Sequence, residues 1–259
     1  MIELMNARQM AAAKPAGEFV GSTLAELRRR TEPGTNLLDI DRWAADLIAK
    51  RGAVSCYVDY APSFGRGPFG KVICTSVNDA VLHGLPHDYV VVNGDLLSLD
   101  FAVSVDGVVA DSAISFVVGE DVAAQDQRMI EVTEQALAAG IAAAGTGTRT
   151  GDISYAIGQV LTGAGFEVST EFGGHGVGST MHQDPHIPNN GRPGRGFPLR
   201  PGMLLAIEPW IMADTAELRV DPDGWTLRSR TGARTAHSEH TIAITEDGPQ
   251  ILTEPVPLG

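Results

Sequence analysis

The stretch from Leu96 to Phe116, LLSLDFAVSVDGVVADSAISF, leaves a folding chain few options. Residues 96–105 and 108–117 are rich in Val, Ile, Leu and Phe, the composition of pleated, half-buried strands. Asp106-Gly107 between them is a favoured two-residue hairpin turn, because both turn positions need a positive φ. That turn fixes the register: Val105 pairs with Val108, Ala102 faces Asp111, and Asp100 faces Ala113. Opposed residues share a sheet face, and so do residues two apart on one strand. Asp100 and Asp111 are therefore expected as diagonal neighbours on one face, beside the small Ala102 and Ala113. Two carboxylates that close repel each other and lose hydration if buried. A bound cation, or a pair of them, is the simplest way to keep both ionised. A lone Asp in a strand is more often a surface or turn residue, so the rest of the chain must decide.

Several function classes are excluded by composition. The chain has 259 residues, 43% of them apolar, which suffices for a sizeable core. It carries 19 basic and 32 acidic residues, a net charge of -13, which disfavours nucleic acid and anionic membrane as partners. Cys56 and Cys74 make no disulfide framework and no CxxC, as expected for a reducing compartment. The N-terminus, MIELMNARQM, lacks the plan of a signal peptide, and no apolar run reaches the roughly 18 residues of a membrane helix. The expectation is a cytoplasmic protein.

Helices are expected over residues 3–31, with Pro15 interrupting or restarting the first, and over 38–50, ended by Gly52. Residues 53–70 read as an irregular segment, with Gly65, Gly67, Pro68 and Gly70 marking a loop. A strand follows at 72–77, then NDAVLHGLP, which carries His83. Beyond the hairpin, helices are expected at 125–143 and 152–163. The GTGTRTG between them has no preceding strand and no following Lys-Ser or Lys-Thr, so it is no phosphate loop. GGHGVGSTMHQDPHIP, residues 173–188, holds His175, His182 and His186 among glycines that allow close backbone approach. Strands at 204–212 and 235–245 carry Glu208 and Glu239. Alternation along the second would put His237, Glu239 and Thr241 on one face.

The two halves of the chain resemble each other. Gly34-Thr35, Asp39-Ile40 and Gly52 recur as Gly147-Thr148, Asp152-Ile153 and Gly165, always 113 residues later. Gly94 and Asp100 match Gly202 and Glu208, with the acid six residues after the glycine in each. The expected architecture is a single domain, 1–259, of two related halves at about 1–122 and 123–259, with the acids meeting near a pseudo-twofold axis.

Asp100, Asp111, His175, Glu208 and Glu239 thus form a candidate set of four carboxylates and one imidazole. Oxygen-rich donors with one histidine suit paired divalent ions such as Mn, Fe, Co or Zn. No HExxH is present, which argues against a zincin, and the acids lie on expected strands rather than on the helices of a di-iron bundle.

Over nearly its whole length the sequence resembles the type I methionine aminopeptidases of the pita-bread metallopeptidase fold. The resemblance rests on NDAVLHGLP (78–86), Leu99-Asp100-Phe101, Ala110-Asp111-Ser112, GGHGVGSTMHQDP (173–185), AIEPW (206–210) and SEHTIAIT (238–245). It implies an α+β fold with a curved antiparallel sheet and helices on its outer face. It also implies removal of N-terminal methionine before a small second residue, with two divalent metal ions as cofactors. Asp100 would chelate one ion, Asp111 and Glu239 would bridge, and His175 and Glu208 would hold the other. His83 would sit by the scissile nitrogen or substrate amine, His182 would hydrogen-bond the carbonyl oxygen, and Glu208 would also carry a proton to the leaving amine. Tyr57, Tyr60, Cys74, Met181 and Trp225 would wall a methionine pocket. The implied partners are N-termini of nascent polypeptides, with ribosome contact left open, and a monomer is expected.

Three features depart from the family pattern: Ala110 replaces the usual Gly, Met181 replaces an aromatic residue, and the loop from Ala61 to Gly70 is long. An Xaa-Pro peptidase of the same fold is the nearest rival, although those relatives usually carry an extra N-terminal domain. A non-enzymatic binding module is the other, disfavoured because all five ligand positions are filled.

Overall fold

A computed structural model describes residues 2–63 and 65–257. Its elements in chain order are α1 (Ala7–Arg30), α2 (Leu37–Arg51), β1 (Val54–Ser55), β2 (Cys74–Val77), β3 (Ala80–Leu82), β4 (Leu96–Val105), β5 (Val108–Val117), α3 (Ala124–Ala142), α4 (Thr150–Gly163), β6 (Gly173–Val177), β7 (Gln183–Pro188), β8 (Leu204–Ile207), β9 (Trp210–Met212), β10 (Leu218–Val220), β11 (Leu227–Ser229), β12 (Thr235–His237), β13 (Glu239–Thr245) and β14 (Gly248–Ile251).

The β4–β5 hairpin forms in the expected register, with Val105 opposite Val108, Ala102 opposite Asp111 and Asp100 opposite Ala113. Asp106 and Gly107 take the positive φ values, 52° and 81°, that the tight turn requires. The hairpin anchors an antiparallel sheet of order β1-β4-β5-β13-β8-β6-β7, with β2 joining β4 and β14 joining β13. One face of the hairpin, including Leu97, Leu99, Phe101, Val103 and Phe116, packs with Phe19, Leu24 and Leu27 of α1 and Ile40 and Ala44 of α2. Ile130 and Leu137 of α3 and Ile153, Ile157 and Leu161 of α4 pack with Leu205, Ile207 and Ile242 of the second-half strands. The carboxylates project from the sheet face away from α1 and α2, because strand alternation forces Asp100 opposite to Leu99 and Phe101. The fold is the α+β arrangement anticipated, with a curved antiparallel sheet and helices on its outer face.

Several glycines and turns that recur in the sequence take matching backbone conformations. Gly34 and Gly147, Gly52 and Gly165, and Gly94 and Gly202 all have positive φ. The Thr35 hydroxyl accepts from Glu32 N as the Thr148 hydroxyl accepts from Gly145 N. Asn36 bridges to Val90 as Arg149 bridges to Pro198.

Four expectations need correction. α1 begins at Ala7 rather than residue 3, because Asn6 caps it: the Asn6 side chain accepts from Arg8 N and Gln9 N, and the Gln9 side chain accepts from Asn6 N. Pro15 does not interrupt α1. It is exposed, as is Ala11, so water can take the bond that the missing N–H leaves open. The strand expected from 72 starts at Cys74. Finally, 204–212 and 235–245 are each two strands, broken at Glu208-Pro209 and Ser238. Pro209 has no N–H for a ladder, and its carbonyl instead accepts from Ser238 N at 3.1 Å, so the two breaks face each other. His237 consequently pairs with Trp210 in a separate two-stranded sheet, while Glu239 pairs with Ala113 in the large one. His237 does not continue the β13 face that carries Glu239 and Thr241.

Candidate metal centre and substrate pocket

Register alone aligns three carboxylates. Asp100 lies opposite Ala113, and Ala113 lies opposite Glu239 on the next strand, with Asp111 diagonal to both. Ligand oxygens of Asp100, Asp111 and Glu239 all fall within 4.8 Å of one another. Thr241 holds Asp111 by its backbone, accepting from Asp111 N at 2.9 Å and donating to Asp111 O at 2.7 Å. Glu208 reaches the cluster from the bend after β8, where Asn189 Nδ2 donates to its carbonyl at 3.1 Å.

His175 arrives on β6 beside Ala206 of β8. The glycines around it are a packing requirement: a Cβ on Gly174 would lie 2.4 Å from Ala206 O, and one on Gly176 would lie 2.1 Å from Asp184 O. Only this bare backbone lets β6 fit between β7 and β8. The His175 Nδ1 bonds to Gly176 O at 3.0 Å, which places the proton on Nδ1. Nε2 is left with its lone pair, 3.5 Å from Glu208 Oε1 and 3.9 Å from Asp111 Oδ2. One atom each of His175, Glu208 and Glu239 also falls within a common 4.8 Å.

The electrostatics of this cluster call for cations. Burial raises the pKa of Asp100 to about 6 and of Glu208 to about 8. Burial, reinforced by the charges of the neighbouring carboxylates, pushes Asp111 and Glu239 well above the usual range. Without compensation Asp111, Glu208 and Glu239 would hold protons at neutral pH rather than charges. Among the described residues, no Lys or Arg lines the cavity to neutralise them. The imidazoles are neutral: burial lowers His175 to about 3, His182 to about 4 and His83 to about 4. Carboxylates without basic partners and a neutral nitrogen with a free lone pair are the donor set of a divalent metal site.

A cavity of about 350 Å³ opens over the cluster. Asp100, Asp111, His175, Glu208 and Glu239 line it, together with His83, His182, Tyr57, Tyr60, Cys74, Met181 and Trp225. All twelve residues singled out in the sequence are therefore brought to one cavity. Tyr57 donates to Asp100 Oδ1 at 2.5 Å, so it touches the carboxylates as well as walling the pocket. His83 follows β3 with a φ of 55° and stacks edge-on against Phe172 at 5.5 Å.

Sequence reasoning missed Phe69, which wedges edge-on between Tyr57 at 5.6 Å and Trp225 at 5.1 Å. The one available signal was a bulky aromatic in GRGPFG, where a solvated loop has no use for it. Leu82, Glu171, Phe172, Gln183, Asp184 and His186 also line the cavity. Of these only His186 stood out, as a third histidine in its stretch. Ala110, the departure before the second Asp, is buried among the residues facing α1 and α2, so its methyl does not enter the site.

Known proteins share this arrangement. The methionine aminopeptidase of Clostridium acetobutylicum is 38% identical over 255 residues, 98% of this chain and 99% of that protein. The crystal structure of methionine aminopeptidase from Thermotoga maritima superposes with a TM-score of 0.92 at 36% identity, covering 98% of this chain and 100% of that one. An Xaa-Pro dipeptidase from Bacillus anthracis shares the fold, at a TM-score of 0.77 and 19% identity, with 99% of this chain covering 63% of that longer one. The model of metallopeptidase family M24 matches residues 11–246, a span that holds every residue of the carboxylate–histidine cluster, and the chain belongs to that family.

Proposed function

We infer that the chain is a methionine aminopeptidase, a metal-dependent hydrolase that removes the N-terminal methionine of polypeptides whose second residue is small. The observation that carries this reading is the shared cavity: the carboxylate–histidine cluster forms its floor, and aromatic and sulfur side chains form its wall. Tyr57, Tyr60, Phe69, Cys74, Met181 and Trp225 offer the polarisable contacts that a thioether chain favours.

Asp100, Asp111, His175, Glu208 and Glu239 would hold divalent metal, two ions in this reading. Bound ions supply Lewis-acid polarisation of the scissile carbonyl and a nucleophilic water at neutral pH. The chain's own groups do the rest. His182, neutral and open to the cavity, donates an N–H to the carbonyl oxygen and stabilises the charge that develops there. Glu208 accepts the proton of the attacking water and returns it to the leaving amine. His83, which also lines the cavity, would sit by the scissile nitrogen. The substrate enters as a free N-terminus of a newly made polypeptide.

The test is hydrolysis of Met-Ala-Ser by metal-stripped protein, with and without added Mn or Co, beside an Ala-Pro peptide. Metal-dependent release of free methionine, with the Ala-Pro peptide cleaved more slowly, is expected. Faster cleavage of Ala-Pro would make the chain an Xaa-Pro peptidase. Loss of both activities in the presence of tightly bound metal would leave a binding module.

A further inference from the structure

We propose that Tyr60 is a positioning residue: its hydroxyl donates to Nδ1 of His182 and so fixes that imidazole as the Nε2–H tautomer, with the N–H turned into the cavity. The inference deepens the reading above and rests on His182 as the partner of the scissile carbonyl. Tyr60 Oη lies 2.8 Å from His182 Nδ1, and the two rings pack at 5.3 Å.

A neutral imidazole carries one N–H, and which nitrogen holds it decides whether the ring can donate to a substrate oxygen. Here the second nitrogen is engaged by a phenol. A phenol O–H is a strong donor and a poor acceptor, while an unprotonated imidazole nitrogen is a strong acceptor. The hydrogen bond therefore runs from Tyr60 to Nδ1, which leaves the ring proton on Nε2. Among the described residues the Tyr60 hydroxyl has no other hydrogen-bond partner. A ring nitrogen of His182 also lies within 4.8 Å of an Asp111 carboxylate oxygen and a His175 nitrogen, so the ring borders the carboxylate–histidine cluster.

The long loop gives Tyr60 a fixed place from which to act. Tyr60 N donates to Tyr57 O at 2.9 Å, and Phe69 N donates to Tyr60 O at 3.0 Å, closing the loop across its base. Phe69 and Tyr60 both pack on Trp225, at 5.1 and 6.2 Å between centroids. Gly65 lies so close to Trp225 that a Cβ there would sit 2.7 Å from the ring. Among the described residues, the loop, the indole and the phenol thus pack together, and the hydroxyl reaches His182 from that unit. A tyrosine serving merely as a pocket wall would need its ring and not its oxygen.

The experiment separates ring from oxygen. In the Mn-loaded enzyme, Tyr60→Phe is expected to lower kcat about tenfold, the low end of what removing an orienting partner costs, with KM within about twofold of wild type. The double variant Tyr60→Phe/His182→Ala should be no slower than His182→Ala alone, because the hydroxyl acts only through that ring. Nitrogen-15 spectra of histidine-labelled, metal-free protein supply a second readout, with the His182 signal identified by its loss in His182→Ala. Wild type should show the Nε2–H tautomer, and Tyr60→Phe a mixture. A wild-type Nδ1–H tautomer, or an unchanged kcat in Tyr60→Phe, would overturn the proposal. If His182→Ala is slow while Tyr60→Phe is not, only the Tyr60 inference fails; if His182→Ala keeps wild-type kcat, the reading of His182 fails beneath it.

Discussion

At the scale of single residues, each polar group lining the cavity has a chemical consequence that removing it exposes. His182→Ala takes away the donor to the developing oxyanion, so kcat should fall about 10²-fold or more, as for other oxyanion donors. Metal content, measured by elemental analysis, should stay at the wild-type value, since His175 and the four carboxylates are untouched. Asp111→Asn separates the opposite way. Asp111 is buried beside Asp100, Glu208 and Glu239, which pushes its pKa well above the usual range, so at neutral pH holding it in the metal-free fold costs stability that an amide does not cost. Metal-free Asp111→Asn should melt at or above metal-free wild type. Added Mn should raise the wild-type melting temperature, by the equivalent of about 2.7 kcal/mol at a hundredfold excess over Kd, and leave the variant unmoved. Calorimetric scans of the four samples check both statements. A variant that melts lower without metal would mean that Asp111 stabilises the fold, not the ion.

At the scale of elements, the site depends on segments that bring no ligand of their own. The glycines of β6 let it lie between β7 and β8, and Gly176→Ala forces a methyl to within 2.1 Å of Asp184 O. The variant should lose about 2–3 kcal/mol of stability to denaturant and bind metal weakly, because His175 rides on the displaced strand. The N-terminal segment acts on the other side of the same motif. Glu3 accepts from Ser179 N at 2.9 Å, Ser179 Oγ at 2.8 Å and Gln183 Nε2 at 2.9 Å, tying down the turn that carries Met181 and His182. These bonds depress the Glu3 pKa, led by the one from Ser179 N, so the tie is held as a carboxylate. Glu3→Gln should raise KM for a Met-Ala peptide by about threefold with little change in melting temperature, since exposed hydrogen bonds contribute only about 0.5–1.5 kcal/mol each. Steady-state kinetics would decide; a fall in kcat alone would mean that the strap acts on the chemistry and not on the pocket.

At the scale of the molecule, one cation stitches the halves together. Arg234 pairs with Asp126 of α3, donates to Asn78 Oδ1 at 2.6 Å and donates to Gly94 O at 2.6 Å. Asp126 is 2% exposed, so Arg234→Met strands a buried carboxylate and should cost about 3–5 kcal/mol in chemical denaturation. Arg234→Met/Asp126→Leu should recover much of that, because the pair costs little when both charges are gone. The limited volume of the cavity, about 350 Å³, sets the substrate range at the same scale. Glycine and alanine after the methionine should be cleaved well, and leucine or lysine poorly, in a peptide series that varies only that residue. Efficient cleavage before lysine would show that the cleft widens beyond the imidazoles of His83 and His182.

What the sequence determined by itself was local, or repeated locally. A two-residue turn fixes its own register, so the diagonal pair Asp100 and Asp111 could be read from strand alternation alone. The recurrence of Gly34 at Gly147 and of Gly94 at Gly202 was legible too, and these glycines take the left-handed conformation at each place. The candidate metal ligands were legible as acids on strands and a histidine among glycines, whereas the pocket residues were named only through the resemblance to a known family. Tertiary structure alone decided the rest. The breaks at Pro209 and Ser238 depend on each other across two strands, and no periodicity in either segment announces them. Phe69 becomes a pocket wall only because its loop folds back on Trp225, which lies more than a hundred residues away in the chain. The bond from Tyr60 to His182 likewise spans 122 residues. Such contacts carry no sequence period, since their partners meet only after the sheet has curved and the loops have closed over it.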